Sequence, residues 1–370
     1  MEELRRSSVS LNSTPISEDI VELSRDRRRF IKQVSLSAAG MVLGAAGMTC
    51  RSEAKEINPG VSRVSFVTGT DRREMVYQAL QPFKDEIRKG ILGKQVVIKA
   101  NLVDPFNELA ATHPDAVRGV LDFLKPLYKK KIIVGDSTGR PGGTVECLKN
   151  HKYYPLEKEY RVKCTDLNDN STTVQWILGK DFHPLDIEII DTFLDPDTYI
   201  ISLTRPKTHN AVVVTLSIKN IVMGSPVNVI TRKNRLFRGQ KTKMHNAGTK
   251  GINFNIFQLG QTVRPQFSVI DGLVGMEGNG PTDGTPVEHG FALAGPDRVA
   301  VDRVTSHLMG IKIEDIGYLS YLAWAGQGQA DLSGIRITGP AIEPYIIPYK
   351  LHDNIESQLT WKDGLVVNKQ

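Results

Sequence analysis

Residues Arg205 to Asn220, RPKTHNAVVVTLSIKN, gather cationic and hydroxyl side chains directly after YIISLT (199–204), a β-branched run that reads as a buried strand. Lys207 and Lys219 offer ammonium groups for a carboxylate, a phosphate or a developing oxyanion. His209, and His245 in KTKMHN, offer imidazoles for acid–base chemistry or metal ligation. Glu277, in MEGNGP, would act as a base or as a third metal ligand. Asn101, Asp136, Ser137, Asn220 and Asp271 are candidates for substrate binding, most of them falling at predicted strand ends, where open α/β sheets hold their ligands. Asp136 reads equally well as a turn or cap residue. Gly278 and Gly280 would let backbone amides approach a ligand, or else simply let the chain turn tightly.

The elements that must position these residues alternate in type. Strand patterns fall at 61–69, 94–102, 130–136, 162–169, 199–204, 265–270, 291–295 and 335–339, with a shorter one in DIEII (186–190). Helical spacing runs through 71–87, 113–128, 144–160, 252–264, 297–310 and 313–328. Pro114 suits a first helical turn, with Thr112 or His113 near the cap, and Asp297 suits an N-cap. His307 reads as structural and Asp302 stays open. Everything after Asp271 up to the strand at 291 reads as a glycine-rich loop. Such alternation implies an α/β fold, a layered and mainly parallel sheet with helices on both faces, in a single large domain. The expected divisions are a leader over 1–55, an α/β domain over 60–340 and a C-terminal tail over 341–370, either packed on the domain or loose.

Composition narrows the function classes. The chain of 370 residues is 40% hydrophobic, enough for a substantial core. Its formal charge of +6 does not indicate nucleic-acid binding, because the basic residues are scattered among nearly as many acids without an aromatic-interleaved stripe. The segment RKNRLFRGQKTK (232–243) is strongly basic and reads as a solvated flap, or as a lid that neutralises an acidic ligand. There are 3 cysteines, Cys50, Cys147 and Cys164, without C-x-x-C spacing, so this chain alone holds no iron–sulfur cluster or zinc ribbon of that kind. A Cys147–Cys164 disulfide stays open.

The leader carries SRDRRRFIKQ followed by VSLSAAGMVLGAAGM (34–48). This resembles a twin-arginine export signal, with Arg27 and Arg28 as the pair, Arg29 between them and Phe30, and Ile31 and Lys32 completing the pattern. The apolar run is short of the ~20 residues that a membrane span needs. The expected location is therefore extracytoplasmic, with the export machinery as a partner. Membrane contact would come only through an uncleaved leader or a lipidated Cys50. Twin-arginine substrates commonly fold, and often load a cofactor, before crossing.

An ordered set of motifs carries a wider resemblance. Asn101, T-H-P at 112–114, G-D-S at 135–137, P-K-T-H at 206–209, S-I-K-N at 217–220, M-H at 244–245, DGLVGMEGNGP from Asp271 and AGPDRVAVD ending at Asp302 together resemble the DUF362 family over about residues 62–339. The resemblance points to the candidates above and adds His113, Asp297 and Asp302. The family's function is largely undefined, and its members are sometimes joined to ferredoxin-type modules, which this chain lacks. Three functions follow as expectations: an exported enzyme acting on a small anionic substrate through a Lys/His/Glu cleft, with a divalent metal or organic cofactor; an extracytoplasmic anion- or cofactor-binding protein; or an accessory subunit with a redox partner.

Overall fold

The computed structural model describes residues 61–139, 143–230 and 237–364, so the leader with Cys50 and residues 232–236 of the basic flap lie outside the described residues. The chain enters through β1 (Ser62–Thr68) and two helices, α1 (Arg72–Leu80) and α2 (Lys84–Gly90). Periodicity alone predicts one helix over this span. Pro82 instead sits in a 3-10 turn, Gln81–Phe83, because it cannot continue the α-helical hydrogen-bond ladder. β2 (Gln95–Lys99), α3 (Pro114–Leu124), β3 (Ile132–Asp136), α4 (Gly143–Asn150), α5 (Leu156–Glu159) and β4 (Val162–Asp166) follow. The helix expected over 144–160 is divided where Pro155 precedes α5.

A hairpin of β5 (Thr172–Leu178) and β6 (Pro184–Ile190) then leads to β7 (Thr198–Thr204), β8 (Lys207–His209), β9 (Val213–Thr215) and α6 (Ser217–Val222). β10 (Asn228–Ile230), β11 (Phe237–Gly239), α7 (Gln240–Lys243) and α8 (Gly248–Gly260) precede a long hairpin of β12 (Phe267–Asn279) and β13 (Asp283–Gly295). The chain closes with α9 (Arg298–Leu308), α10 (Gly317–Trp324), β14 (Ile335–Thr338) and α11 (Ile355–Leu359).

The central sheet has 10 strands, in the order β14-β1-β13-β12-β7-β2-β3-β4, with β8 and β9 attached beside β12. Along the main path only β13 runs against its neighbours. The mainly parallel α/β architecture expected from the sequence is the one observed. Alternation along β7 serves both layers: Ile201 and Leu203 face a core with Leu80, Phe83, Val117 and Leu121, whereas Ile200 faces Ile221, Ile256 and Leu322. A third cluster joins Phe66, Leu293, Val304 and Leu308.

One expectation is corrected, and one question left open by the sequence is answered. The glycine-rich segment after Asp271 is not a loop, since β12 and β13 pair continuously from Val274↔Glu288 to Asn279↔Asp283. The glycines are there for close packing: a Cβ on Gly272 would strike the Phe291 ring, and one on Gly275 would strike Tyr349. Cys147 and Cys164 are both free and buried, each thiol facing a backbone carbonyl, of Leu102 and Tyr153 respectively. Residues 341–364 pack on the domain and bury Tyr349 and Trp361. No helix among the described residues is long and apolar enough to cross a membrane.

Candidate functional site

β2, β3 and β7 end side by side, so Lys99, Asp136 and the chain from Arg205 meet at the carboxyl edge of the sheet. Lys99 is 1% exposed and its ammonium donates to Asp136 Oδ1 at 2.6 Å, to Asn220 Oδ1 at 2.8 Å and to Ala100 O at 2.7 Å. Asp136 also accepts from Leu102 N at 2.5 Å and Ser137 N at 2.6 Å. Burial pulls Lys99 below the ordinary lysine range, and the Asp136 carboxylate opposes that pull.

The network continues through Asn220, whose Oδ1 also accepts from Asn101 Nδ2 at 3.1 Å, while its Nδ2 donates to Ser202 Oγ at 3.1 Å. Asn101 Oδ1 in turn accepts from Lys207 Nζ at 2.6 Å, and Ala110 O takes a second Lys207 bond at 2.8 Å. Five of the sequence candidates, Asn101, Asp136, Ser137, Lys207 and Asn220, therefore share one buried network with Lys99. Lys207 is fully buried and driven well below the lysine range by desolvation, with the charges of Arg205 and Lys219 adding to the effect.

Lys219 differs from its neighbours. It lies on α6, every residue of which is buried, and the helix is clamped from both sides. Asp302 accepts the Ser217 and Ile218 N–H groups at 2.9 Å each, and Asn220 is tied into the network. Among the described residues the Lys219 ammonium has no hydrogen-bond partner. Burial, with the charge of Lys99, lowers it to about 7.

The largest charge acting on His209 is that of Lys219, followed by those of His245, Lys207 and His352. His209 is buried and held well below the ordinary histidine range, first by desolvation. Its Nδ1 accepts the Ala211 N–H at 3.0 Å, which leaves the neutral ring's proton on Nε2. His245 is exposed at the surface, and desolvation of its ring together with Lys219 lowers it as well.

The other candidates go elsewhere. Met276 pairs with Lys207 across β12 and β8, so Glu277, the next residue, turns to the opposite face. There Glu277 Oε2 accepts Lys350 N at 2.8 Å, which fastens the C-terminal segment. The described residues contain no group of three or more His, Cys, Asp or Glu arranged to hold a metal ion, so the His209–His245–Glu277 ligand set is not built. Asp271 is buried in an ion pair with Arg72 Nε at 2.8 Å. Gly278 has φ +73, and Gly280 lies where a Cβ would strike the Thr208 backbone, so both serve turning and close packing. His113 caps α3 by accepting Asp115 N and lines a separate cavity of about 310 Å³ with Arg118 and His151. Asp297 is the N-cap of α9, as expected.

Several site residues escape the sequence reading. Lys99 ends a run of buried strand positions, and a lysine there is itself a signal because an unpaired charge is not buried freely. Lys241, in the basic segment, folds inward to donate to Met223 O at 2.7 Å and to Ser137 Oγ at 3.3 Å, and burial of its ammonium lowers it to about 7. His352 arrives from the C-terminal segment, which no local pattern connects to the site.

Comparison with known proteins fits this geometry. Residues 96–307 match the profile described as Domain of unknown function (DUF362), from β2 through α9. The chain belongs to the DUF362 family. The DUF362 match takes in the whole network from Lys99 to Asp302, whereas His352 lies beyond it. A thylakoid-associated protein of Synechocystis is 26% identical over 225 residues, 59% of this chain; the chain spans 63% of that relative's length. A crystal structure of a Thermotoga maritima protein is 13% identical, with a TM-score of 0.35 over 57% of this chain and 52% of the other.

Two predictions follow from the network. Asp136→Asn should cost about 3–5 kcal/mol in urea unfolding, because it leaves the Lys99 charge buried without its counter-ion. Adding Lys99→Met should recover much of that loss; equal losses in the single and double variants would refute the pairing. The second concerns pH. Lys219 and Lys241 titrate near 7 when folded but near 10.5 when unfolded. Between those values the unfolded chain binds more protons, so their contribution to stability rises with pH from about 7 towards 10. Lys219→Met removes one of these groups and should be most favourable relative to wild type at pH 7, with the difference narrowing by pH 10. Thermal midpoints that differ by a constant amount across that range would contradict desolvation of the amine.

Proposed function

We propose that this DUF362 protein is an enzyme that binds a small anion at the carboxyl edge of its sheet and transfers protons on it through Lys219 and His209. One observation carries the proposal: buried positive charge exceeds its local counter-charge. Asp136 is the carboxylate bonded within the network, and Lys99 occupies it. Lys207 bonds to two neutral oxygens, Lys241 to two more, and Lys219 to none among the described residues. A bound carboxylate or phosphate would offset the cost of burying these ammonium groups. A lysine near 7 and a histidine presenting Nε2–H suit proton transfer at neutral pH.

Phosphate or acetate should therefore raise the thermal midpoint at pH 7 relative to chloride, approaching about 2.7 kcal/mol at one hundred times Kd. The effect should be lost in Lys219→Met. An anion-independent midpoint, or a shift that survives in the variant, would overturn the proposal. We further propose that the protein is exported, on the strength of Arg27, Arg28, Phe30 and Lys32, which lie outside the described residues. Replacing Arg27 and Arg28 with lysine should retain the protein in the cytoplasm of its host, and unchanged fractionation would count against the signal.

A further inference from the structure

We propose that Lys219 forms an imine with the carbonyl carbon of a small oxo-carboxylate, an inference that rests on the anion site proposed above and names its substrate class. Among the inward-facing lysines of this edge, Lys99, Lys207 and Lys219 are treated differently by the fold. Lys99 and Lys207 spend their N–H donors on protein oxygens, as structural lysines do. Lys219, 8% exposed where Lys99 and Lys207 are 1% and 0%, stands at the accessible side of the cluster without such a bond among the described residues, so its nitrogen is not committed to protein acceptors. Among the described residues no carboxylate bonds to it either, so protonation brings it no local reward. A lysine desolvated beside another cation is the arrangement that yields a nucleophilic amine.

The backbone around it is fixed. Asp302 holds the first turn of α6, and Asn220, the next residue, is bonded to Lys99, Asn101 and Ser202. The amine is therefore presented from a rigid helix, and an approaching carboxylate enters the positive field of Lys99 and Lys207. The step balances without an oxidant or reductant. The Nζ lone pair attacks the carbonyl carbon, the carbonyl π electrons move to oxygen, and proton transfer from nitrogen to oxygen gives the neutral carbinolamine. With His209 Nε2–H hydrogen-bonded to the hydroxyl and holding it in place, a proton from solvent water reaches that oxygen, water leaves, and the nitrogen lone pair closes the C=N bond. The nitrogen's remaining proton passes to the hydroxide left in solvent, so amine plus carbonyl gives imine plus water.

The test uses the full chain at pH 7 with pyruvate as probe and sodium cyanoborohydride as trap, read by intact mass and peptide mapping. The expected result is a single reduced pyruvyl adduct on Lys219, formed at least tenfold faster than on exposed lysines such as Lys350 and suppressed by phosphate. His209→Asn should slow trapping while leaving phosphate stabilisation in place. The wild-type map decides the matter even where a Lys219 variant folds poorly. Labelling scattered over exposed lysines, with Lys219 unmodified while phosphate still raises the midpoint, would refute the imine and leave the anion site standing. No adduct and no phosphate effect would refute both.

Discussion

The ion pair between Lys99 and Asp136 is the constraint on which the site depends. It joins the carboxyl ends of two adjacent parallel strands, and both partners are almost completely buried. A pair in that position survives only if the remaining donors and acceptors are also satisfied. Asn220 supplies the third Lys99 bond, the backbone of Leu102 and Ser137 completes Asp136, and Asn101 carries the network to Lys207. Gly224 is required beside it, since a Cβ there would meet the Lys99 side chain at 2.5 Å. One charged contact thereby fixes the relative placement of β2, β3, α6 and β8.

The C-terminal segment acts on the same region from outside. Val213 adopts φ +68, a strained conformation for a β-branched residue, within the short β8–β9 hairpin that carries His209. Gln358 accepts the Val213 N–H at 2.6 Å, and Asn354 donates to Asn210 O at 2.8 Å, so the returning chain holds the hairpin in place. Glu277 contributes to this arrangement by fixing Lys350, two residues before His352. Glu277 thus has a structural connection to the site although its carboxylate faces away.

Much of this was legible in the sequence, and the losses have physical causes. Strands buried on both faces announce themselves as apolar runs, so β2, β3 and β7 and the polar residues at their ends were found from order alone. The candidates Asn101, Asp136, Ser137, Lys207 and Asn220 came together because each lies at an end of such an element or on the helix that follows β9. The β12–β13 hairpin was missed because the six glycines from Gly272 to Gly290 imitate a loop, whereas their spacing reflects side chains packed against bare backbone. Glu277 was misplaced by the same error, since only a strand register tells which face a residue takes. His352 and Lys241 were out of reach because long-range packing brings them in.

Three lysines at one sheet edge show why residue type alone does not define a role. Lys99 has a carboxylate and two neutral acceptors, which makes it a structural cation despite the pull of desolvation. Lys207 has neutral acceptors only, so its ammonium is costly. Among the described residues Lys219 has neither, yet its helix is held too firmly for the side chain to seek a partner by local rearrangement. Folding energy from the surrounding core therefore maintains an amine that the immediate contacts do not stabilise, the condition under which a bound substrate can supply what the protein withholds.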